Sequence, residues 1–157
     1  ASKSRGLGDV YKRQDIRFGN GKCSSDMKLF EKENEMIKFV AKDMKNILTK
    51  TFNSEIYIIE SFFNVLKSGS GTKPHKHLSP FDKSLKLDKK KYSLTYYLSA
   101  GDQNCSEPGI LKLYNPDKEI LPTDGTIVII PSGRTHSAIY NGKTDRVMIG
   151  INFYCLD

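Results

Sequence analysis

The sequence is poor in cysteine and has no long apolar segment, and each shortage excludes a class of protein. Cys23, Cys105 and Cys155 are odd in number, and no two of them form a Cys-x-x-Cys pair. This pattern argues against a disulfide framework and favours a reduced, cytoplasmic compartment. No apolar run approaches the roughly 20 residues that a membrane-spanning helix needs, so we expect no membrane association. At 157 residues, the chain is expected to form one domain.

The first residues carry a foreign pattern. The segment from Asp9 to Gln14 reads, codon by codon, as the translation of a transposon adapter used in library preparation. We therefore interpret residues 1–14 as a sequencing scar on a truncated environmental gene, and residues 15–157 as a single domain shortened at its N terminus. Residues 1–14 hold four basic residues against one acidic residue, so the net charge of +7 falls to about +4 without them.

A polar segment between residues 78 and 91 contains a local cluster of basic side chains. It has five lysines, more than the net charge of about +4 that remains without residues 1–14: Lys83, Lys86, Lys89, Lys90 and Lys91. No aromatic residues are interleaved with them, which favours a solvated loop over a nucleic-acid surface. Long loops beside a site often close over it, so the segment is open to two interpretations, a lid or a plain surface excursion.

The pattern of apolar residues predicts one helix followed by strands. Residues 26–50 have helical spacing, with Ile37, Val40 and Met44 on one face and with Ser25 or Asp26 as the cap. Seven segments that are rich in β-branched and aromatic residues follow, at 56–59, 61–66, 92–98, 110–114, 126–130, 136–140 and 146–154. This order predicts an α+β fold, a double-stranded β-helix (jelly roll) with one N-terminal amphipathic helix packed on it.

The chain has three histidines, and their spacing is typical of a metal site. His75 and His77 are two residues apart, so on a strand they share one face, roughly 6.6 Å apart. His136 lies far downstream, after an apolar strand and a turn. Two histidines from one strand and a third from another can form a facial triad with open positions for other ligands. Two exposed loop histidines are the alternative interpretation of the pair.

Between residues 61 and 154 the chain resembles the 2-oxoglutarate/Fe(II) oxygenase superfamily, in particular its small bacterial and phage-type members. Matching motifs occur in the family's order: Phe63-Asn64-Val65 with Gly71, His75-Lys76-His77, residues 93–98, Gly109-Ile110-Leu111, residues 124–131, His136, Arg146 and Asn152-Phe153. The resemblance implies an Fe(II)-dependent and 2-oxoglutarate-dependent enzyme. In it His75, His77 and His136 would hold the metal, and Arg146 would grip the distal carboxylate of 2-oxoglutarate.

One departure from the family concerns the ligand pair. The superfamily usually has His-x-Asp or His-x-Glu, whereas this chain has His75-Lys76-His77. Either the triad consists of three histidines, or Asp82 reaches in from the polar segment and His77 is a bystander. We prefer His77, because a strand fixes the i+2 geometry whereas Asp82 would need an unusual excursion.

Arg146 can serve this function only in a two-sheet arrangement. In a tight hairpin it would lie opposite Ser137, on the face away from His136, whereas strands in opposed sheets let both side chains point inward. Strand alternation then adds candidates to the pocket, with Tyr97 and Asn64 as cosubstrate ligands. Asn152 and Asp82 are candidates for contact with the substrate or a lid.

The leading hypothesis is a dioxygenase that hydroxylates an unactivated C–H bond. One alternative is a three-histidine cupin-type oxygenase without 2-oxoglutarate, such as a thiol dioxygenase, and another is a non-enzymatic jelly-roll module that binds carbohydrate. We favour the 2-oxoglutarate-dependent dioxygenase over both alternatives, because a buried arginine without an anionic ligand would be costly. The loops select no substrate, which could be a small molecule or a peptide, and the oligomeric state stays open.

Overall fold

The structure is a computed structural model, and it describes residues 16–156. The interpretation of residues 1–14 as a scar lies outside this range. No helix within the described range is long and apolar enough to span a membrane.

Two five-stranded antiparallel sheets form the body of the protein. The first sheet has the strand order β1-β4-β9-β6-β7 and the second has the order β2-β3-β10-β5-β8. The strands are β1 (Arg17–Phe18), β2 (Lys22–Cys23), β3 (Glu55–Leu66), β4 (Ser70–His75), β5 (Lys91–Ser99), β6 (Leu111–Leu113), β7 (Lys118–Ile120), β8 (Ile127–Pro131), β9 (His136–Tyr140) and β10 (Arg146–Leu156). This architecture confirms the predicted jelly roll.

The helix α1 (Glu35–Phe52) begins nine residues later than the sequence pattern predicts. Its cap is Asn34, whose side chain accepts hydrogen bonds from the backbone N–H groups of Met36 and Ile37. Asp26 does not cap a helix, because its carboxylate accepts from the N–H of Lys28. A 3-10 turn, Leu29–Glu31, lies between them. The predicted start was wrong because the apolar spacing only becomes helical after Asn34.

The helix α1 packs on the outer face of the second sheet. Its buried residues Met44 and Leu48 join a cluster with Ile149, Ile151 and Phe153 of β10. Because side chains alternate along a strand, the other face of β10 points between the two sheets. The helix therefore covers one face of β10 and leaves the opposite face to line an interior cavity.

Several strands differ from the predicted set. The segments 56–59 and 61–66 form one continuous strand, β3, rather than two. The strand β4 was expected only as an approach to the histidine pair, because Ser-Gly-Thr-Lys-Pro-His has no apolar residue. At Gly71 a Cβ would lie 2.2 Å from the Ala138 carbonyl oxygen, so close approach to β9 requires glycine here. The strand β7 has two exposed charged residues and carried no strand signal.

The polar segment after His77 is anchored by a buried carboxylate. Asp82 lies in the short helix α2 (Pro80–Ser84) and forms a capping box with Ser79. Its Oδ2 is 3.0 Å from the Lys91 ammonium, and its Oδ1 accepts from the Tyr154 hydroxyl at 2.5 Å. Burial alone would raise the pKa of Asp82, but the hydrogen bonds from Tyr154, Ser79 and Lys91 outweigh it and hold the pKa at about 2.

This anchor predicts a specific loss of stability in acid. The folded-state pKa of Asp82 lies below the ordinary value of 3.8, so its stabilising contribution is complete above about pH 4 and is lost as the pH falls towards 2. We expect the free energy of unfolding to decrease by about 2 kcal/mol across this window through Asp82. Asp82→Asn should remove that part of the pH dependence, measured by urea unfolding at each pH. Asp43→Asn, on the exposed face of α1, is the control, and an unchanged slope in Asp82→Asn would contradict the prediction.

Candidate metal centre and cavity

The three histidines meet at one point of the first sheet. His75 is the last residue of β4, His136 is the first residue of β9, and the two are paired across the strands. One ring nitrogen of each of His75, His77 and His136 lies within 4.8 Å of the others. The Nε2 atoms of His77 and His136 are 3.2 Å apart. Two nitrogens bound at right angles to one metal would be about 3.0 Å apart, so this spacing suits a shared ion.

His77 reaches the cluster by a different route from the one predicted. The strand β4 ends at His75, so strand alternation does not place His77. Instead, the backbone N–H of His77 donates to the Ser132 carbonyl at 2.9 Å. The turn between β8 and β9 therefore holds His77 beside His136.

Two of the imidazoles are already oriented as metal ligands. His75 Nδ1 donates to the Lys73 carbonyl at 2.7 Å, and His136 Nδ1 donates to the Arg134 carbonyl at 3.0 Å. A carbonyl oxygen can only accept, so each Nδ1 carries the proton and each Nε2 keeps its lone pair for another partner. Metal-binding histidines are commonly fixed by this kind of hydrogen bond.

Burial keeps these imidazoles neutral. Burial, with a smaller electrostatic contribution from His75, lowers the pKa of His136 to about 4, against a raising effect of the Arg134 carbonyl. Burial also lowers the pKa of His75. Neutral imidazole is the form that binds iron, zinc, copper and nickel, so near pH 7 neither ring needs to lose a proton before binding such an ion.

Asp82, the second ligand option, lies outside the histidine cluster. Its carboxylate is engaged by Ser79, Lys91 and Tyr154, and it does not line the cavity beside the histidines. The same contacts anchor the polar segment beside α2. Within residues 16–156, the only group of three or more potential ligands at metal-binding distance is the three histidines.

A cavity of about 370 Å³ lies between the sheets and includes the histidine cluster. From the first sheet it is lined by Thr72, Ala138 and the ligand residues. From the second sheet it is lined by alternate residues of three strands: Glu60, Phe62, Asn64 and Leu66 of β3, Thr95 and Tyr97 of β5, and Arg146, Met148, Gly150 and Asn152 of β10. The structure therefore brings Arg146, Tyr97, Asn64 and Asn152 into the same cavity as the histidines.

Arg146 enters this cavity because β9 and β10 lie in opposite sheets. Its side chain is fully buried. The guanidinium donates to the carbonyl oxygens of Ala100 and Pro108, at 2.9 Å and 2.7 Å, and also to that of Gly109. Since a guanidinium has five N–H donors, two remain for a ligand.

The surroundings of Arg146 correct one step of the sequence argument. A buried arginine was expected to require an anionic ligand, yet three carbonyl oxygens and two aromatic rings already solvate this one. The ring centroids of Tyr140 and Tyr97 lie 4.9 Å and 5.5 Å from its Cζ atom. Burial lowers the pKa of Arg146, and the neighbouring tyrosines oppose that shift. Burial of Arg146 alone therefore does not prove an anion site.

Tyr97 and Asn64 line the same cavity as Arg146 and carry polar groups. Burial raises the pKa of Tyr97 to about 12, against a lowering effect of Arg146, so the hydroxyl stays protonated and can donate. Asn64 Oδ1 is a buried acceptor without a hydrogen-bond partner in the described part of the chain. Buried polar atoms are normally paired, so a bound molecule that donates a hydrogen bond to Asn64 Oδ1 would satisfy this acceptor.

Sequence reasoning missed two sets of residues that shape the site. One is the loop that holds Arg146, with Ala100, Pro108 and Gly109; the glycine was noted only as part of a motif. The other is a row of polar side chains that includes Glu60 and Ser132. Neither carried a signal, because backbone carbonyls do not depend on residue type and lone serines or glutamates are common.

No family model and no curated protein sequence matches the chain, but solved structures do. A Trichoplax adhaerens prolyl hydroxylase in complex with a hypoxia inducible factor peptide fragment is 17% identical, with a TM-score of 0.66, covering 89% of this chain and 65% of that chain. The viral collagen prolyl hydroxylase of Paramecium bursaria Chlorella virus-1, in complex with 2-oxoglutarate, is 15% identical, with a TM-score of 0.64 and coverages of 87% and 80%. A Pseudomonas putida prolyl-4-hydroxylase is 17% identical, with a TM-score of 0.60 and coverages of 93% and 76%. The resemblance to 2-oxoglutarate oxygenases is confirmed at the level of the fold.

The histidine cluster predicts tight binding of a divalent metal that needs all three rings. His75→Ala, His77→Ala and His136→Ala should each weaken anaerobic Fe(II) binding by more than the roughly 10–100-fold that loss of an outer partner of a ligand costs. Asp82→Asn should bind Fe(II) as the wild type does. Calorimetric titration measures each affinity, and wild-type affinity in His77→Ala together with weak binding in Asp82→Asn would show that the ligand assignment is wrong.

Proposed function

We propose that the protein is a non-haem Fe(II)- and 2-oxoglutarate-dependent dioxygenase, an oxidoreductase that hydroxylates its substrate. The observation that carries the proposal is that three clustered histidines, two of them held in the tautomer that binds metal, line one cavity with a buried arginine that has two spare donors. The fold shared with prolyl hydroxylases supports it.

The residues present fit the metal. His75, His77 and His136 would supply three neutral nitrogen ligands on one side of the ion and leave positions open on the cavity side. The carbonyls of Lys73 and Arg134 keep two of these rings in the tautomer that binds metal. When iron, 2-oxoglutarate and oxygen are bound, they supply the chemistry that oxidises a C–H bond and converts the cosubstrate to succinate and carbon dioxide.

The residues present also fit the cosubstrate. The two spare N–H groups of Arg146 would hold the distal carboxylate of 2-oxoglutarate through charge-assisted hydrogen bonds, each contributing roughly 1.5–3 kcal/mol. The Tyr97 hydroxyl would donate a further bond to this carboxylate, and Asn64 would bind the other end of the molecule. Phe62, Leu66 and Met148 line the intervening wall and would exclude water.

The set of three histidine ligands is also compatible with a second candidate, a three-histidine oxygenase that does not use 2-oxoglutarate. A site of three neutral imidazoles is one charge more positive than the His-x-Asp site usual in the superfamily. It would accept an anionic substrate directly on the metal. The buried cation at Arg146 is the feature that favours the 2-oxoglutarate reaction over this one.

Removal of Arg146 separates these two candidates. Arg146→Ala should weaken 2-oxoglutarate binding by about a hundredfold or more, because two charge-assisted hydrogen bonds are lost. Metal affinity should not change. Calorimetry on the Mn(II)-loaded protein and the visible charge-transfer band of the anaerobic Fe(II) complex measure the two effects. No binding of 2-oxoglutarate to the wild type would reject the proposal in favour of the three-histidine alternative.

Arg134→Ala is the matched control for Arg146→Ala. In the wild type the Arg134 guanidinium donates to the Pro116 carbonyl and does not line the cavity. The Arg134 backbone carbonyl, which holds His136, is retained. Equal loss of 2-oxoglutarate binding in both variants would show that the effect is not specific to Arg146.

Gly109 provides an independent test that keeps the arginine. Its φ is +81°, and a Cβ at this position would lie 2.0 Å from Arg146 Nη1. Gly109→Ala should therefore displace the guanidinium and weaken 2-oxoglutarate binding at least about tenfold, a loss of about 1.4 kcal/mol. Gly125→Ala has the same φ of +81° with no atom within 4 Å, so it controls for backbone strain. Wild-type affinity in Gly109→Ala would contradict this role.

A further inference from the structure

A continuous row of hydrogen bonds connects the cavity wall to a histidine of the metal centre. Asn152 Nδ2 donates to Glu60 Oε2 at 2.6 Å, and Ser93 Oγ donates to Asn152 Oδ1 at 2.7 Å. The hydroxyls of Ser93 and Ser132 are 2.9 Å apart. The Ser132 carbonyl then accepts the backbone N–H of His77 at 2.9 Å. The row therefore runs from Glu60 to the backbone of His77.

Every donor in this row points in one direction. Ser93 has one hydroxyl proton and gives it to Asn152, so Ser132 must be the donor between the two serines. The bonds from Ser132 to Glu60 thus all lead towards a carboxylate. Aligned hydrogen bonds of this kind polarise and strengthen one another, most of all where water is excluded.

The row is built into the interior of the second sheet. Glu60, Asn152 and Ser93 are cross-strand neighbours on β3, β10 and β5, and Ser132 directly follows β8. Ser132, Asn152 and Ser93 are 0%, 2% and 8% exposed. Buried polar groups are destabilising unless they are fully paired, so a row of this length is held only where each member has a partner.

His77 is connected to this row through its backbone. His75 and His136 belong to strands, and each ring is fixed by a carbonyl two residues earlier in the chain. His77 lies beyond the end of β4, and its backbone is bound to Ser132. Ser132 itself is fixed through its N–H, which donates to the Lys91 carbonyl, and through its hydroxyl.

We propose that Ser93, Ser132 and Asn152 are positioning residues that set the place of His77 in the metal centre and link it to the Glu60 carboxylate in the cavity wall. This role rests on the metal centre of the proposed function. It is independent of 2-oxoglutarate, because none of these residues is near Arg146 in the strand register: Asn152 lies six residues further along β10, about 20 Å.

Binding of Co(II) alone tests the proposal, since its visible absorption reports the geometry of its ligands. Ser93→Ala and Ser132→Ala should each weaken Co(II) binding about tenfold and change the visible spectrum. The matched control is Ser137→Ala. Ser137 is equally buried, lies next to His136 and bonds the Tyr114 hydroxyl at 2.8 Å, outside the row. Ser137→Ala should keep the wild-type spectrum and Co(II) affinity, even if its melting temperature falls as much as those of Ser93→Ala and Ser132→Ala. If Ser93→Ala does not fold, Ser93→Cys keeps the volume and weakens the bonds.

A double-mutant cycle shows whether the effect acts through His77. In a His77→Ala background, Ser132→Ala should cause no further loss of Co(II) affinity, because the residue that it positions is gone. The proposal would be overturned if Ser93→Ala and Ser132→Ala had the same spectra and affinities as Ser137→Ala. Full additivity of the Ser132→Ala and His77→Ala effects in the cycle would also overturn it. Absence of Co(II) binding in the wild type would overturn the metal centre together with this role. Normal Co(II) binding without 2-oxoglutarate binding would reject only the dioxygenase.

Discussion

The change of sheet between Tyr140 and Arg146 is the constraint on which the site depends. Five residues carry the chain from β9 in one sheet to β10 in the other. Tyr140 holds this connection: it is fully buried, its hydroxyl donates to the Thr144 carbonyl at 2.6 Å, and its ring faces the Arg146 guanidinium. A hairpin within one sheet would turn His136 and Arg146 to opposite faces. With the crossing, a metal ligand and a cation ten residues apart in sequence meet in one cavity.

The electrostatics of the cavity follow from how each charge is compensated. Arg146 keeps its charge in the interior because carbonyl oxygens of the loop between β5 and β6 take up three of its donors. His75 and His136 contribute no charge, since burial lowers the pKa of both. Glu60 lies in the middle of β3, six residues before Leu66, the cross-strand partner of Arg146, and it is bound to Asn152. His75 and His136 are therefore neutral before an ion binds, and a bound divalent ion together with Arg146 would favour a dianionic occupant between them.

Sequence patterns predicted the parts of this structure that depend on side-chain chemistry. Apolar and aromatic runs identified β5, β8, β9 and β10, and strand alternation placed Tyr97 and Asn152 on inward faces. The parts that depend on backbone groups were not predictable. The strand β4 is made of small and polar residues held by its neighbours, α1 starts at a cap that was not singled out, and His77 is positioned by a carbonyl. Asp82 was considered as a ligand because carboxylates bind metal, whereas its environment commits it to an ion pair with Lys91.

The large share of backbone groups in the site explains why the fold resembles solved structures although the sequence matches no known family. Carbonyls of Lys73 and Arg134 orient the rings of His75 and His136, the carbonyl of Ser132 holds His77, and loop carbonyls hold Arg146. Backbone carbonyls are present whatever the side chain, so a site held in this way constrains few residue types outside its ligands. Structures that share 15–17% of residues can therefore keep the same sheets while sequence comparison finds no match. The exceptions are positions such as Gly109, where a carbonyl must approach a buried cation so closely that no side chain fits.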